Sequence, residues 1–432
     1  MKITVIGAGV IGLSCAYELS ELGHQLTVVD AGAAGAAASA GNAGWITPFL
    51  SAPRAAPGAV RDAVRSFTST EGPARMRPHL ELGFASWVAQ FLRASNQQRS
   101  ARATAALQKF ARHAHDHVDS LLERGVSFEH HTDGLAVVFK QADNLAHYEQ
   151  LAGKIRSLGY EGEIAVHRGS DVVAFDPAIS RDVAGVLHLV SERHVRPETL
   201  TAGLAKALVT NGGEVIEGDP VRRITRLPAV GKWAVDTAEG RELDADHVVL
   251  AAGFATRALL KPLGVNVPLE AAKGTSMTAY GEGLAPAHPL KLYEHMVACS
   301  PFGNSVRLSG TFDVGRRDFD LNRKRLDMVV RHGTSYLDTW RPTDIEHEWV
   351  GHRSTTVDDT PVIGPVPGLP GLYVATGHGT LGVTLGPATG ALAAREIALQ
   401  EEQPLLAPFR LTRFRARNSR TQLPYAERLI ND

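Results

Sequence analysis

The sequence predicts an α/β protein whose first domain is discontinuous and is interrupted by a second, α+β domain on a mixed or antiparallel sheet. A strand, a helix and a second strand fit into the first 30 residues, so the two strands must be parallel. Short apolar strands that end in glycine recur at 246–253 and 372–377. Polar helical segments over 60–160 and extended segments over 273–314 lie between these units and predict the second domain.

Length, charge and cysteine content exclude several classes of protein. The chain has 432 residues, which is long for one hydrophobic core, so two domains are expected. Its net charge of −1 offers no general attraction for nucleic acid, and no nucleic-acid partner is expected. No signal peptide and no apolar run long enough to span a bilayer occur. The two cysteines, Cys15 and Cys299, predict neither a disulfide framework nor a metal site and fit a cytoplasmic location.

The N-terminal unit carries the motif GAGVIG between its first strand, 2–6, and its helix. The first glycine allows a tight turn, the second lets a pyrophosphate approach the backbone, and the third lets the helix pack on the strand. Asp30 ends the second strand 18 residues after the motif and is placed to accept hydrogen bonds from a ribose. A tight turn without a ligand is the alternative. The context favours dinucleotide binding by Gly7, Gly9, Val10, Ile11 and Gly12.

A second glycine-rich loop, GHGTLGVTLGP, covers residues 377–387 and follows the apolar run 372–375. Glycine destabilises regular structure unless the backbone needs a positive φ or something approaches it closely. A helix is predicted from 385, so the loop leads into a helix N-terminus, where unpaired N–H groups favour an anion. The loop therefore predicts a second contact with a long ligand.

Residues 31–58 are nearly all small residues and proline, which is typical of a loop close to a ligand or of a mobile segment. A low-complexity linker is the alternative. Asn42, Trp45 and Phe49 make the segment more varied than a linker, and the two aromatic residues are candidates for a pocket wall or for the core.

Three segments carry a family likeness: SAGNAG with the following ITP (39–48), HVVLAAG (247–253) and GHGTLG (377–382). They resemble the FAD-dependent D-amino acid oxidase superfamily, which includes glycine and sarcosine oxidases, and are most similar to the bacterial D-amino acid dehydrogenases. Weaker likeness is found at Arg196-Pro197, Pro220-Val221, Lys273-Gly274 and 359–364. The resemblance covers most of the chain.

The resemblance implies a Rossmann-like FAD-binding domain formed by 1–50, 196–262 and 345–432, and a substrate-binding domain formed by 51–195 and 263–344. The first glycine loop would hold the pyrophosphate and Gly379–Leu381 the flavin ring, since a helix N-terminus stabilises the negative charge of reduced flavin. Beyond the first loop, the expected FAD contacts are Asp30, Asn42, Ala43, Gly44, Val221, Ala252, Gly253, Gly379, Thr380, Leu381 and Gly382.

The reaction of the family removes a hydride from the carbon next to an amine, which requires orientation of that C–H more than acid–base groups. A substrate carboxylate calls for a bidentate arginine, and Arg353 matches the family position. A surface or interdomain ion pair is the alternative for Arg353. The expected catalytic residues are Arg353, His295 and Thr380; His295 stands where the dehydrogenases often carry a tyrosine, and a structural role is its alternative.

Several other residues are candidates for the site, each with a structural role as its alternative. Lys273 is a candidate for a position near the flavin, and His378 a candidate base or a structural residue of the second loop. Lower-ranked arginines for the carboxylate are Arg193, Arg196 and Arg222. No metal site is expected, because the histidine pairs lack supporting carboxylates. The stretch after Arg353 lacks the proline and the Pro-Asp-Gly turn of close D-amino acid dehydrogenases, so the substrate does not follow from the resemblance.

The sequence thus predicts an FAD-dependent enzyme that deaminates a D-amino acid or imino acid and passes electrons to a quinone or another acceptor. A D-hydroxyproline or other secondary-amine dehydrogenase or oxidase, like glycine and sarcosine oxidases, is the alternative. Two further alternatives are one subunit of a heteromeric complex and an NAD(P)-dependent reductase with the same first motif. The expected location is cytoplasmic, with peripheral contact at the inner face of the cell membrane and the oligomeric state left open.

Overall fold

The computed structural model describes residues 1–58, 72–76 and 81–414. Its strands are β1 (Lys2–Ile6), β2 (Gln25–Val29), β3 (Trp45–Ile46), β4 (Ala74–Met76), β5 (His130–His131), β6 (Leu135–Phe139), β7 (Ile164–His167), β8 (Gly185–Leu189), β9 (Arg193–Val195), β10 (Glu214–Ile216), β11 (Val221–Leu227), β12 (Lys232–Thr237), β13 (Glu242–Ala245), β14 (His247–Leu250), β15 (Leu269–Glu282), β16 (Leu290–Leu292), β17 (Val297–Phe302), β18 (Ser305–Val314), β19 (Arg341–Thr356), β20 (Val362–Pro365) and β21 (Leu372–Thr376).

The α-helices of these residues are α1 (Val10–Glu21), α2 (Leu82–Ala94), α3 (Gln97–Ala111), α4 (Ala114–Glu123), α5 (Ala142–Ser157), α6 (Ser170–Phe175), α7 (Pro197–Thr210), α8 (Thr256–Leu260), α9 (Arg323–Thr334) and α10 (Gly382–Ala398). Short 3₁₀ segments occur at Gly253–Ala255, Lys261–Leu263, Pro404–Phe409 and Leu411–Phe414. No helix in the described ranges combines the length and the apolar character that a bilayer crossing needs.

A six-stranded sheet in the order β10-β2-β1-β14-β21-β20 unites strands from distant parts of the chain. Every neighbouring pair is parallel except β20 with β21. Its central strands are buried on both faces, as the near-continuous apolar runs of β1, β14 and β21 require. The predicted α/β fold with a parallel sheet is therefore confirmed.

Helices α1 and α10 pack side by side on this sheet and run in the same direction. A Cβ atom on Gly386 would lie 3.1 Å from Val10, and one on Gly390 would lie 2.6 Å from the backbone of Ser14. Because residues four apart on one helix meet residues four apart on the other, both N-termini point to the same edge of the sheet. Only glycine permits this close approach at 390.

A nine-stranded mixed sheet runs β19-β15-β18-β17-β16-β6-β8-β7, with β4 attached to β18. Side chains alternate between its two faces. On one face an apolar cluster that includes Met277, Cys299 and Leu308 packs against α9. On the other face the register aligns Ser276 with Ser309 and Trp349. This second, more polar face is called the site face below, and it carries Ser276, Thr278, Lys291, Ser300, Arg307, Ser309, Trp349 and Arg353.

Two three-stranded antiparallel sheets complete the architecture: β11-β12-β13, and β3-β9-β5. The boundaries of the two predicted domains stay a prediction, and the stretches 59–71, 77–80 and 415–432 of those domains lie outside the described residues. Helices α3 and α4, which the prediction assigns to the substrate-binding domain, pack in one apolar cluster with α1 and α10.

Candidate active site

Three loops meet at the carboxyl edge of the parallel sheet because β1, β14 and β21 are adjacent and parallel. Gly7 follows β1, Ala252-Gly253 comes after β14, and Gly377 follows β21. Gly7 has a φ of +109°, and a Cβ atom there would lie 2.5 Å from the carbonyl oxygen of Ala251. This edge is where open α/β sheets bind their ligands.

The first loop has the geometry that the GxGxxG motif predicts. A Cβ atom on Gly12 would lie 1.8 Å from the carbonyl oxygen of Gly7, so α1 packs on β1 only with glycine there. The carboxylate of Asp30 accepts hydrogen bonds from the N–H groups of Ala8 (2.6 Å) and Gly32 (2.8 Å). Each of its oxygens keeps a second lone pair for a ribose hydroxyl.

The second loop is fixed to β19. The N–H of Gly379, at a φ of +57°, donates to the carbonyl oxygen of Ser354 at 3.0 Å. His378 is 7% exposed, and its Nε2 lies 3.0 Å from the hydroxyl of Thr389. Burial lowers the pKa of His378 to about 3, so this imidazole stays neutral and has a structural contact rather than a proton to exchange.

The loop 39–44 connects the second glycine loop with the site face. The buried guanidinium of Arg307 donates from Nη1 to the carbonyl oxygens of Ala40 (2.8 Å) and Asn42 (2.9 Å). Ser300 donates to the carbonyl oxygen of Ala43 at 2.8 Å. The Asn42 side chain accepts from the N–H of Gly44 at 2.9 Å, and its Nδ2 lies 3.5 Å from the carbonyl oxygen of Thr380. The sheet therefore holds this loop against the second glycine loop.

The remaining predicted cofactor contacts lie around the same edge. Val221 packs in the apolar cluster that includes Ile6 and Leu250, the last residues of β1 and β14. The carbonyl oxygen of Gly253 accepts a hydrogen bond from Thr376, the last residue of β21, at 2.9 Å. The structure thus brings the predicted FAD residues at 7–12, 30, 42–44, 252–253 and 379–382 together at this edge, with Val221 in the apolar cluster below it.

Arg353 lies on the site face beside these loops. Its neighbour Ser354 holds the N–H of Gly379, and its guanidinium occupies the space above Gly274. The only hydrogen bond that the described residues give this guanidinium runs to the carbonyl oxygen of Thr311, at 3.1 Å. Burial and the positive charge of Arg54 lower the pKa of Arg353 to about 10. The surface ion pair considered as its alternative is not formed among the described residues.

The other predicted substrate residues lie elsewhere. His295 stacks on His332 of α9 at 3.9 Å and lies 3.1 Å from the hydroxyl of Tyr336, which belongs to the apolar cluster on the opposite face from Arg353. Lys273 forms an ion pair with Asp318, away from the glycine loops. Of the lower-ranked arginines, Arg193 pairs with Asp119, Arg196 pairs with Glu346, and Arg222 is exposed.

One of the two aromatic residues of the 31–58 segment, Trp45, faces the site. The indole N–H of Trp45 donates to Ser300 at 2.9 Å on the site face. Phe49 is 2% exposed and packs edge-on against Tyr160, with ring centroids 5.2 Å apart. Trp45 thus lies at the site, whereas Phe49 is part of a core cluster next to it.

Two cations that the sequence analysis did not single out also face this site: Arg54 and Lys291. The guanidinium of Arg54 lies over the ring of Phe312, 4.0 Å from its centroid. The ammonium of Lys291 lies 3.3 Å from the hydroxyl of Tyr148. The sequence does distinguish Arg54, because it is the only charged residue in the segment 31–58.

The residues at this edge fit an FAD molecule. A Cβ atom on Gly12 would fill the space at the turn after β1. The N-termini of α1 and α10 are parallel and offer N–H groups to anions. Asp30 offers acceptors to a ribose. On the site face the hydroxyl of Ser309 is buried without a hydrogen-bond partner in the described part of the chain. A buried polar atom of this kind calls for a partner that a bound ligand supplies.

Comparison with known proteins agrees with this geometry. The FAD dependent oxidoreductase family (DAO) matches residues 2–396 of the chain. A D-amino acid dehydrogenase of Methylobacterium nodulans is 30% identical over 401 residues, which cover 91% of this chain and 94% of that protein. A D-amino acid dehydrogenase of Rhodopseudomonas palustris is 28% identical over 432 residues, covering 96% of this chain and 98% of that protein.

A solved structure supports the fold. The glycine oxidase of Geobacillus kaustophilus has a TM-score of 0.74 at 20% identity, over 96% of this chain and 99% of that chain. Together these comparisons confirm the predicted fold class, the FAD cofactor and the oxidoreductase activity. With its two glycine loops at one sheet edge and a family match over most of its length, the chain belongs to the family of FAD-dependent oxidoreductases known as DAO.

Proposed function

We propose that this enzyme oxidises the C–N bond of an amino acid or imino acid, with D-amino acids as the preferred substrates. The observation that carries the proposal is the half-buried guanidinium of Arg353, which has no carboxylate partner in the described chain and lies beside the second glycine loop. A guanidinium without an ion-pair partner is a bidentate receptor for a carboxylate. The D configuration is supported by the names of the curated relatives.

In this proposal the chain contributes binding and orientation. FAD, when bound, supplies the acceptor for the hydride that leaves the substrate carbon. Arg353 holds the substrate carboxylate and thereby fixes the position of the neighbouring C–H bond. The N-terminus of α10, with Thr380 and Leu381 at its start, stabilises negative charge at the adjacent edge of the cofactor pocket. The amine nitrogen loses a proton as its carbon loses the hydride. Water then hydrolyses the imine to a 2-oxo acid and ammonia when the substrate is a primary amine, or to a 2-oxo acid and an amine when it is a secondary amine.

The electron acceptor belongs to the same proposal. The curated relatives are named dehydrogenases, which supports a quinone or another carrier rather than oxygen. A cytoplasmic enzyme with peripheral contact at the inner face of the membrane would meet such a quinone. Oxidase activity on glycine, sarcosine or D-hydroxyproline is the outcome that would assign the electrons to oxygen.

The visible absorption spectrum of the purified protein tests the proposal. The protein is mixed anaerobically and separately with D-amino acids, L-amino acids, glycine, sarcosine and both hydroxyproline enantiomers. We expect a yellow protein that D-amino acids bleach, and an Arg353→Met variant that stays yellow without being bleached at the same concentrations. Bleaching by L-amino acids alone overturns the preferred configuration, and a flavin that no amine or amino acid bleaches overturns the proposal.

A further inference from the structure

The site face carries more positive charge than one substrate carboxylate can neutralise. Arg54, Lys291 and Arg353 all face it, and none of them forms an ion pair with any carboxylate that the structure describes. All three are half-buried. Desolvation of a cation without a counter-ion is costly, so a cluster of such cations is an anion site. Arg353 alone is sufficient for the carboxylate that every amino acid has.

Arg54 is held close to the second glycine loop. Its main-chain N–H donates to Asp359 at 2.6 Å, and the other oxygen of Asp359 lies 3.2 Å from the Cβ position of Gly379. The side chain of Arg54 lies over the ring of Phe312. The preceding residue, Thr311, accepts a hydrogen bond from Arg353 through its carbonyl oxygen. Nη1 of Arg54 is buried and has no hydrogen-bond partner among the described residues. This unpartnered donor lies at the edge of the proposed substrate pocket.

Lys291 approaches from the opposite side of the site face. Its register pairs it with Ala298, and Ala298 with Ser309, so its side chain points to the same face as Ser309 and Ser276. Its only hydrogen bond to described residues is with the hydroxyl of Tyr148. Burial and the charge of Arg54 lower the pKa of Lys291 to about 8, which agrees with a nearby cation and no paired carboxylate.

The carboxylates in the neighbourhood are occupied by other groups. Asp359 accepts from the main-chain N–H of Arg54 and from the hydroxyl of Thr355. Asp313 forms an ion pair with Arg325. Glu192 accepts from the N–H of Phe49, and burial raises its pKa to about 7, so a large fraction of it is uncharged near neutral pH. Within the described part of the chain, Asp359 and Asp313 influence these cations only at a distance and form no ion pair with them. We therefore assign the second negative charge to the ligand.

We infer that the substrate carries a second carboxylate, which Arg54 and Lys291 bind while Arg353 binds the carboxylate next to the amine. The substrate class is thus an acidic amino acid or a dicarboxylic imino acid. The inference rests on the proposed function, because it assumes that the site face binds the substrate. Bidentate donation from Arg54 and a point charge from Lys291 select the acid over its uncharged amide.

The test compares substrates of equal size and different charge in the holoenzyme. The rate constant kcat/KM is measured for D-aspartate against D-asparagine and for D-glutamate against D-glutamine, with iminodiacetate against sarcosine as the secondary-amine pair. We expect at least one acid to exceed its neutral partner by ~10- to 100-fold, the range of one or two hydrogen bonds to a charged group. Arg54→Met and Lys291→Met should each reduce this ratio by about tenfold.

Two features keep the variants interpretable. Arg54→Met retains the main-chain N–H that holds Asp359, and Lys291→Met replaces a half-buried aliphatic stem by one of similar length. The matched control is Arg223→Met, which removes an exposed cation paired with Asp236 on the β11-β12-β13 sheet and should leave the ratio unchanged. Flavin absorbance confirms that each variant is loaded.

Binding provides a readout that does not need turnover. Glutarate and butyrate are titrated separately into the holoenzyme, and the perturbation of the flavin spectrum gives each Kd. We expect glutarate to bind ~10-fold tighter than butyrate in the wild type and equally in Arg54→Met. Equal binding in the wild type, or neutral D-amino acids oxidised as well as acidic ones, overturns the second carboxylate but leaves the proposed function. Tight glutarate binding without oxidation of any amino acid overturns the proposed function and leaves the anion site.

Discussion

The guanidinium of Arg353 lies where the side chain of residue 274 would begin: a Cβ atom on Gly274 would be 1.9 Å from Nη1 of Arg353. The two residues are on neighbouring strands, β15 and β19, two register positions apart. Gly274 therefore provides the space in which Arg353 faces the site, and the position of the guanidinium depends on a residue without a side chain.

The substitution Gly274→Ala should separate folding from substrate binding. The atom in conflict is the end of a flexible side chain, so the guanidinium moves and the sheet remains. We expect the melting temperature and the flavin content to stay near wild type while KM for amino acids rises by about tenfold or more, because a charge-assisted hydrogen bond is lost. Unchanged KM would show that Arg353 does not bind the carboxylate from this position.

The substitution Arg353→Lys tests bidentate binding. Lysine keeps the positive charge but offers a single ammonium in place of the planar fork. We expect kcat/KM to fall by ~10- to 100-fold with flavin absorbance retained. A variant with the same kcat/KM as the wild type would indicate that charge alone is needed.

The place of Arg353 at the candidate site could be predicted from the sequence because a family motif surrounds it. The places of Arg54 and Lys291 could not. Their alignment on one face depends on the register of β16, β17 and β18, which links residues far apart in sequence. His295 was expected at the substrate, but a turn after β16 directs it towards α9. Alternation within a strand fixes the face of a residue only when the register of the strand is known.

The contact between α1 and α10 predicts a large difference between two helical glycines. Gly390→Ala would place a methyl group 2.6 Å from the backbone of Ser14, and overpacking of this kind costs about 1–3 kcal/mol of unfolding free energy. The control is Gly153→Ala in α5, where no atom lies within 4 Å of the Cβ position and the gain in helix propensity is about 0.5–1 kcal/mol. Chemical denaturation of both holoproteins measures the difference, and equal stability of the two variants would contradict the close packing.

The buried carboxyl of Glu192 predicts a pH-dependent stability difference. Its side chain is 0% exposed, and burial raises its pKa from 4.5 to about 7. The folded state therefore favours the protonated form, so this group lowers stability as pH rises from about 4.5 to 7, by at most about 3 kcal/mol. Glu192→Gln keeps an acceptor for the N–H of Phe49 and cannot ionise.

We expect the unfolding free energy of Glu192→Gln, relative to wild type, to increase between pH 4.5 and pH 7. Urea denaturation at several pH values measures this. Glu239→Gln, at an exposed position, is the control and should show a constant difference. A constant difference for Glu192→Gln as well would mean that this carboxyl titrates normally.

The parallel sheet was more accessible to prediction than the site face. Buried parallel strands read as apolar runs, and the glycine motifs mark where each strand ends, so β1, β14 and β21 are visible in the sequence. The packing of α3 and α4 with α1 and α10 leaves no such local signal, because their apolar residues fit any neighbouring surface. Contacts set by tertiary packing were the part that local patterns did not reveal.

The pairing of α1 with α10 also determines when the cofactor pocket can exist during synthesis. The first glycine loop emerges from the ribosome early, but strand β21 of the same sheet and helix α10, which packs on α1, are made more than 350 residues later. Until then β14 lacks its partner β21, and such long-range closure is slow. Translation of nearly the whole chain must precede capture of FAD, so flavin content reports on the fraction of chains that have finished folding.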